Sequence, residues 1–246
     1  MLLRPDGDHM IAVTQPAHAW VSGQLARAWG NARFGAVEPW EEVCLAAEQH
    51  DVGMTDWELA PTLNPATGLP HSFMEMDLHT HLALWSSAAD RVRPQSRYAA
   101  LLVSLHGSAL YERRDLSRLD SDAADRVRAF LAGQRELQER LRPPEATDAD
   151  IARNRRLVWT WDSLSRGLLL DWAPFELRAV PTAGEPVDVA VTEETLDPWP
   201  FAAEQVTVRA EARRLAGRYD DEAAMRSALA HSPVITLERK LRRARP

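Results

Sequence analysis

His18, the adjacent pair His50-Asp51, His81, His106 and Asp162 are the residues of this chain whose types and spacing point to chemistry. Imidazole and carboxylate together make the mixed nitrogen–oxygen donor set that holds Fe, Mn or Zn. Each of these residues falls on the apolar face of its own helical segment. His18 lines up with Val21, Leu25 and Trp29, and His50 with Ala47 and Val43. His81 lines up with Leu78, Leu84, Trp85 and Ala88, His106 with Ala99, Leu102, Val103 and Leu110, and Asp162 with Val158, Ser165 and Leu169. Several imidazoles and carboxylates buried without compensation would cost several kcal/mol each. A bound metal pair is the simplest compensation, because it uses neutral imidazole and ionised carboxylate together.

His50 and Asp51 are neighbours, so on a continuing helix they would diverge by about 100°. They converge only if the helix stops there, and Gly53 marks such a stop. His79 and His81 point about 200° apart on one helix, so only one of them can face a site. The apolar neighbours of His81 favour it. Asp56, five residues past Asp51, is a candidate to orient a water or a ligand histidine, with Asp51 and Asp56 as the catalytic carboxylates. A surface or helix-capping role for Asp56 carries equal weight. His71, Arg113 and Arg114 are weaker candidates, the arginines for a phosphate. Trp57 is a possible stacking surface.

Six long helical segments must position these residues: about 15–29, 38–50, 75–92, 95–114, 120–141 and 147–171. Thr14 or Gln15 with Pro16 opens the first, and Thr147 caps the last. A weakly alternating stretch at 9–13 reads as a short strand. Residues 57–73 hold three prolines and read as a long functional loop. After Pro174 the pattern alternates at 175–180, 187–191, 205–210 and 234–238, with a short helix near 222–230. The expected architecture is therefore mainly α: an all-helical metal-binding domain over 1–174 and a small β-rich (α+β) appendage over 175–246. The basic tail from Arg239 to Pro246 reads as a solvated terminus.

Composition removes other chemistries. The 246 residues carry a net charge of −7, which argues against gripping a nucleic-acid duplex through a broad basic surface. One cysteine, Cys44, excludes an intramolecular disulfide and any thiolate cluster. One lysine, Lys240, leaves no internal amine for a Schiff base or phosphate loop. No serine-hydrolase elbow or glycine-rich phosphate loop is present. No apolar run is long enough for a membrane span, and the start lacks a signal-peptide core, so a cytoplasmic location is expected.

The order histidine, histidine–aspartate, aspartate resembles the minimal pattern of the HD superfamily of metal-dependent phosphohydrolases. Two further histidines between the pair and the last aspartate resemble its two-metal members. The phrases His-Ala-Trp-Val-Ser-Gly-Gln-Leu-Ala (18–26), Gln-His-Asp-Val-Gly-Met (49–54), Val-Ser-Leu-His-Gly (103–107), Trp-Asp-Ser-Leu-Ser (161–165) and Asp-Pro-Trp-Pro-Phe (197–201) are similar to a bacterial family known only as domain of unknown function 3891. That resemblance covers most of the chain and brings no established activity. It implies an HD-like helical bundle. It also implies His18, His50, Asp51 and Asp162 as ligands of one divalent ion, with His106 and His81 as ligands of a second. The two ions would be Fe, Mn or Zn, with Mg disfavoured. The implied activity is hydrolysis of a small phosphorylated molecule, as a phosphohydrolase or phosphodiesterase. Met54 stands where HD-GYP proteins carry a lysine and no Gly-Tyr-Pro follows, which argues against cyclic dinucleotides. Two rival readings are a di-iron oxygenase-type oxidoreductase on the same scaffold and a non-catalytic module that binds a small ligand.

Overall fold

The computed structural model describes residues 1–244. The chain opens with a hairpin of β1 (Leu2–Asp6) and β2 (His9–Val13), turned at Gly7 with φ +60°, a conformation that favours glycine. Thr14 then caps α1 (Gln15–Ala28) by accepting the Ala17 N–H. After α2 (Trp40–Gln49), a 3₁₀ turn at Val52–Met54 leads into the short α3 (Thr55–Leu59). Residues 60–75 form a two-stranded ribbon, β3 (Leu63–Asn64) and β4 (Leu69–Pro70), and a 3₁₀ turn. Four long helices complete the helical layer. They are α4 (Leu78–Val92), α5 (Arg97–Glu112), α6 (Ser121–Leu141) and α7 (Asp148–Leu169), capped by Asp77, Ser96, Asp120 and Thr147. The remainder is β5 (Phe175–Val180), β6 (Val187–Val191), β7 (Thr195–Asp197), β8 (Gln205–Ala216), α8 (Glu222–His231) and β9 (Val234–Arg243).

Seven strands join in one mixed sheet of order β1-β2-β8-β9-β7-β6-β5, in which only β7 and β9 run parallel. This corrects the expectation of a mainly α, HD-like bundle with a small β-rich appendage. The chain is 50% helix and 21% strand, an α+β fold. The reason lies at both ends of the sequence. Residues 2–13, where the alternation predicts a short strand only at 9–13, are a hairpin whose second strand pairs with β8, and so brings the N-terminal segment into the C-terminal sheet. At the other end, residues 239–243 continue β9, where Leu241 is fully buried between exposed Lys240 and Arg242. The basic tail is thus strand as far as Arg243; Arg245 and Pro246 lie outside the described residues. Alternation of Val206, Val208, Ala210 and Ala212 gives β8 one apolar face.

Helix α5 lies at the centre of the helical layer, against α2, α4, α6 and α7, and its length is mostly buried. Helices α1 and α7 lie between it and the sheet: α1 against β8, and α7 against β5. Trp29 joins the two layers, with ring centroids 5.4–5.7 Å from Phe34, Trp161 and Phe201. Gly53 lets the turn after α2 press on α4, because a Cβ there would lie 2.6 Å from the Leu84 carbonyl oxygen. The close approach, rather than a positive φ, accounts for glycine at this position.

Candidate metal centre

Helix α2 ends at Gln49, His50 keeps helical angles, and Asp51 turns out to φ −102°, ψ 15°. That break lets two neighbouring side chains converge. The carbonyl of Ala47 accepts a hydrogen bond from His50 Nδ1 at 2.8 Å. One of the orphan carbonyls of the helix end is thereby satisfied, and the lone pair of His50 is left on Nε2. His18, from α1, is fixed in the same way. The Ser165 hydroxyl donates to the Asp162 carbonyl at 2.9 Å, and its oxygen accepts from His18 Nδ1 at 2.8 Å. Ser22 braces Ser165 at 2.9 Å.

The two free Nε2 atoms lie 3.2 Å apart. Asp51 Oδ2 is 3.4 Å from His18 Nε2 and 3.6 Å from His50 Nε2. Asp162 Oδ1 is 3.2 Å from His18 Nε2 and 3.4 Å from His50 Nε2. Both imidazoles are fully buried, and both carboxylates nearly so. Two imidazole nitrogens and two carboxylate oxygens thus face one another in a buried space, an arrangement that could hold a cation. Ligands about 2.05 Å from a tetrahedral ion lie about 3.3 Å apart, and His18, His50 and Asp162 fit that spacing among themselves, with Asp51 at a similar distance from both rings. Buried groups of this kind are able to hold a metal ion.

The electrostatics agree. Burial alone would lower the His50 pKa, but the charges of Asp51 and Asp162 outweigh it and raise it to about 9. Burial likewise pushes against ionisation of Asp162, yet Arg166 and the two histidines hold its carboxyl well below the usual range. Asp51 is lowered by His50 and His18 in the face of its own burial. Arg166 Nη2 sits 2.9 Å from Asp162 Oδ2, while Oδ1 is the oxygen nearest His18 and His50.

His106, from α5, stands at the edge of the cluster, with Nε2 3.9 Å from Asp162 Oδ2. It belongs with His50 and Asp51 to a second group of possible ligands. His50 offers one outward nitrogen, so both groups cannot be filled through it at once. The rings of Trp85 and Trp159 flank His106 at 5.6 and 5.5 Å. Burial, reinforced by the His50 charge, drops its pKa to about 4 and keeps it neutral.

The structure therefore brings together His18, His50, Asp51, His106 and Asp162. It places the other two candidates elsewhere. His81 is half-buried on α4, but its Nε2 accepts from Trp85 Nε1 at 3.0 Å and its Nδ1 bonds the Tyr111 hydroxyl, so neither nitrogen is free. Asp56 is 62% exposed and ion-paired with Arg91, turned to solvent. His79 is exposed beside Arg126, and His71 bonds Thr62 at 2.9 Å in the ribbon. Burial pushes the Cys44 thiol up to about 11, so it offers no thiolate. Sequence reasoning missed Arg166 and the bracing serine Ser22. Arg166 was accessible, since it lies four residues past Asp162, on the same helix face.

Among the described residues no helix is long and apolar enough to cross a membrane. No curated protein and no solved structure matches the chain. The profile of one family, described as protein of unknown function (DUF3891), matches residues 1–217. Those residues contain the whole cluster, and the chain belongs to the DUF3891 family.

Proposed function

We propose that this protein is a divalent-metal-dependent phosphohydrolase or phosphodiesterase acting on a small phosphate ester. The observation that carries the reading is the approach of two imidazole Nε2 atoms to each other, and of one oxygen from each of two carboxylates to both rings, at 3.2–3.6 Å. The ligand order His18, His50-Asp51, Asp162 supports it, because it resembles the HD pattern in sequence although the fold is α+β. A single ion held by these four residues is sufficient, with Fe, Mn or Zn favoured over Mg by the imidazoles. When bound, such an ion would supply Lewis-acid polarisation of a phosphoryl oxygen and would lower the pKa of a nucleophilic water.

The chain's own residues do the rest. Ala47 and Ser165 fix the ring orientations of His50 and His18. Arg166 neutralises the outer oxygen of Asp162, so that one divalent ion leaves the buried centre with a net charge of about +1, suited to an anionic substrate. Neutral His106 presents Nε2 beside the cluster, where it can accept or donate a hydrogen bond. Burial of the histidines excludes bulk water and strengthens each of these interactions. The test is hydrolysis of bis(p-nitrophenyl) phosphate and p-nitrophenyl phosphate by wild type and by His50→Ala, with Mn, Fe or Zn added. Turnover that needs the metal and falls at least 100-fold in the variant is the expected result. Turnover unaffected by chelation, or none with any metal, overturns the reading.

A further inference from the structure

One face of α5 carries His106 and Ala109 and leads to Arg113, the residue that caps its C-terminus, and one face of α7 carries Asp162, Trp159 and Arg155, spaced as helix neighbours. Between these faces lies a cavity of about 480 Å³. Buried His106 and half-buried Trp159 form its floor, and exposed Arg113 stands at its rim with Arg155 and Arg156. Through His106 the floor adjoins the metal centre, 3.9 Å from Asp162.

The charges on this lining do not cancel. Glu112 is paired with Arg155, and Asp148 with Arg142 at 2.5 Å. Arg156 is held on main-chain carbonyls of Arg178 and Ala179 and has no ion-pair partner among the described residues, nor has Arg113. Burial and then the nearby charge of Arg113 lower the Arg156 pKa, against the pull of Asp188. Arg113 and Arg156 thus line the cavity without a carboxylate partner of their own, beside Glu112 and Asp148, whose charges are paired elsewhere. A second observation also points to a ligand: His106 Nδ1 is buried with no hydrogen-bond partner. A buried polar atom of this kind is ordinarily satisfied. Arg113 lies seven residues from His106, about 10 Å along the helix. An anion at Arg113 is therefore distinct from one at the metal centre.

We propose that this cavity is the subsite for a second acidic group of the substrate. The substrate is then an elongated dianion. Its phosphate ester lies at the His/Asp cluster, an apolar or planar segment runs along Trp159, and a second phosphate or carboxylate sits on Arg113 and Arg156. The identity of the first group rests on the hydrolase reading; anion binding in the cavity does not.

The test has two arms. In the first, full-length protein is dialysed against a chelator and titrated calorimetrically with 1-naphthyl phosphate and 1-naphthol. Wild type should bind the phosphate and not the naphthol. Arg113→Ala, at an exposed position, should weaken binding at least tenfold, while Arg118→Ala should leave it unchanged. No binding by wild type, or equal binding by Arg113→Ala, overturns the proposal. In the second arm, metal-loaded protein is given a thymidine dinucleotide with and without a 5′-phosphate. Arg113→Ala should raise KM about tenfold for the phosphorylated form alone, and an equal effect on both forms overturns the proposal. Arg113-dependent binding with no turnover of either ester supports the cavity and overturns the hydrolase reading.

Discussion

Metal binding and proton binding compete at His50, and the structure sets the size of the competition. The ring lies between Asp51 and Asp162, whose charges outweigh its burial and raise its pKa to about 9. At pH 7 without metal the ring is about 99% protonated, and a metal ion must displace that proton. The two pH units between 7 and 9 correspond to about 2.7 kcal/mol, or about 100-fold in affinity. Calorimetric titration with Zn or Mn at pH 6.5, 7.5 and 8.5, in buffers of different ionisation enthalpy, measures both quantities. Affinity should rise about tenfold per pH unit, and about one proton should be released per ion. The sign for the metal-free fold is the opposite. A raised pKa means that protonated His50 stabilises the folded state. That contribution, about 3 kcal/mol, is complete below pH 6.5 and is lost as pH rises through about 9. Affinity that does not change over pH 6.5–8.5, with no proton released, would refute this reasoning.

Four substitutions extend the account. Asp162→Asn preserves shape but leaves Arg166 and two histidines without their carboxylate, so urea denaturation should show a loss of about 3 kcal/mol and elemental analysis a loss of metal. His81→Gln and Asp56→Asn should both retain the metal content of wild type, since one ring is held by Trp85 and Tyr111 and the other side chain faces solvent. Gly107→Ala would place a Cβ 2.5 Å from the Trp85 ring, which flanks His106, and should cost about 1–3 kcal/mol in thermal or urea unfolding.

Much of the site was legible in the sequence, and the reasons are local. His18, His106 and Asp162 fall on apolar helix faces at 3.6-residue spacing, and a polar side chain on such a face must find a partner inside. The His50-Asp51 pair followed from the same reasoning and a nearby glycine. His81 satisfied the same periodicity, but Trp85 and Tyr111 consume its nitrogens, and Tyr111 comes from a different helix, which periodicity does not register. Asp56 went astray because α3 continues past the turn and carries it to the surface. The sheet was under-read for a physical reason. Residues 2–13 alternate only weakly, and their pairing partner in β8 lies about 200 residues away in sequence. Non-local pairing of that kind leaves no signature in a short window. The cavity between α5 and α7 depended likewise on how two helices face each other.

The most direct test of the central claim is the metal content of the purified chain, before and after incubation with Mn, Fe or Zn, set against the double substitution His50→Ala/Asp51→Ala. About one tightly held ion per wild-type chain, and none in the variant, is the predicted result. A wild-type chain that stays well below one ion after reconstitution, or a variant that binds as much, contradicts it.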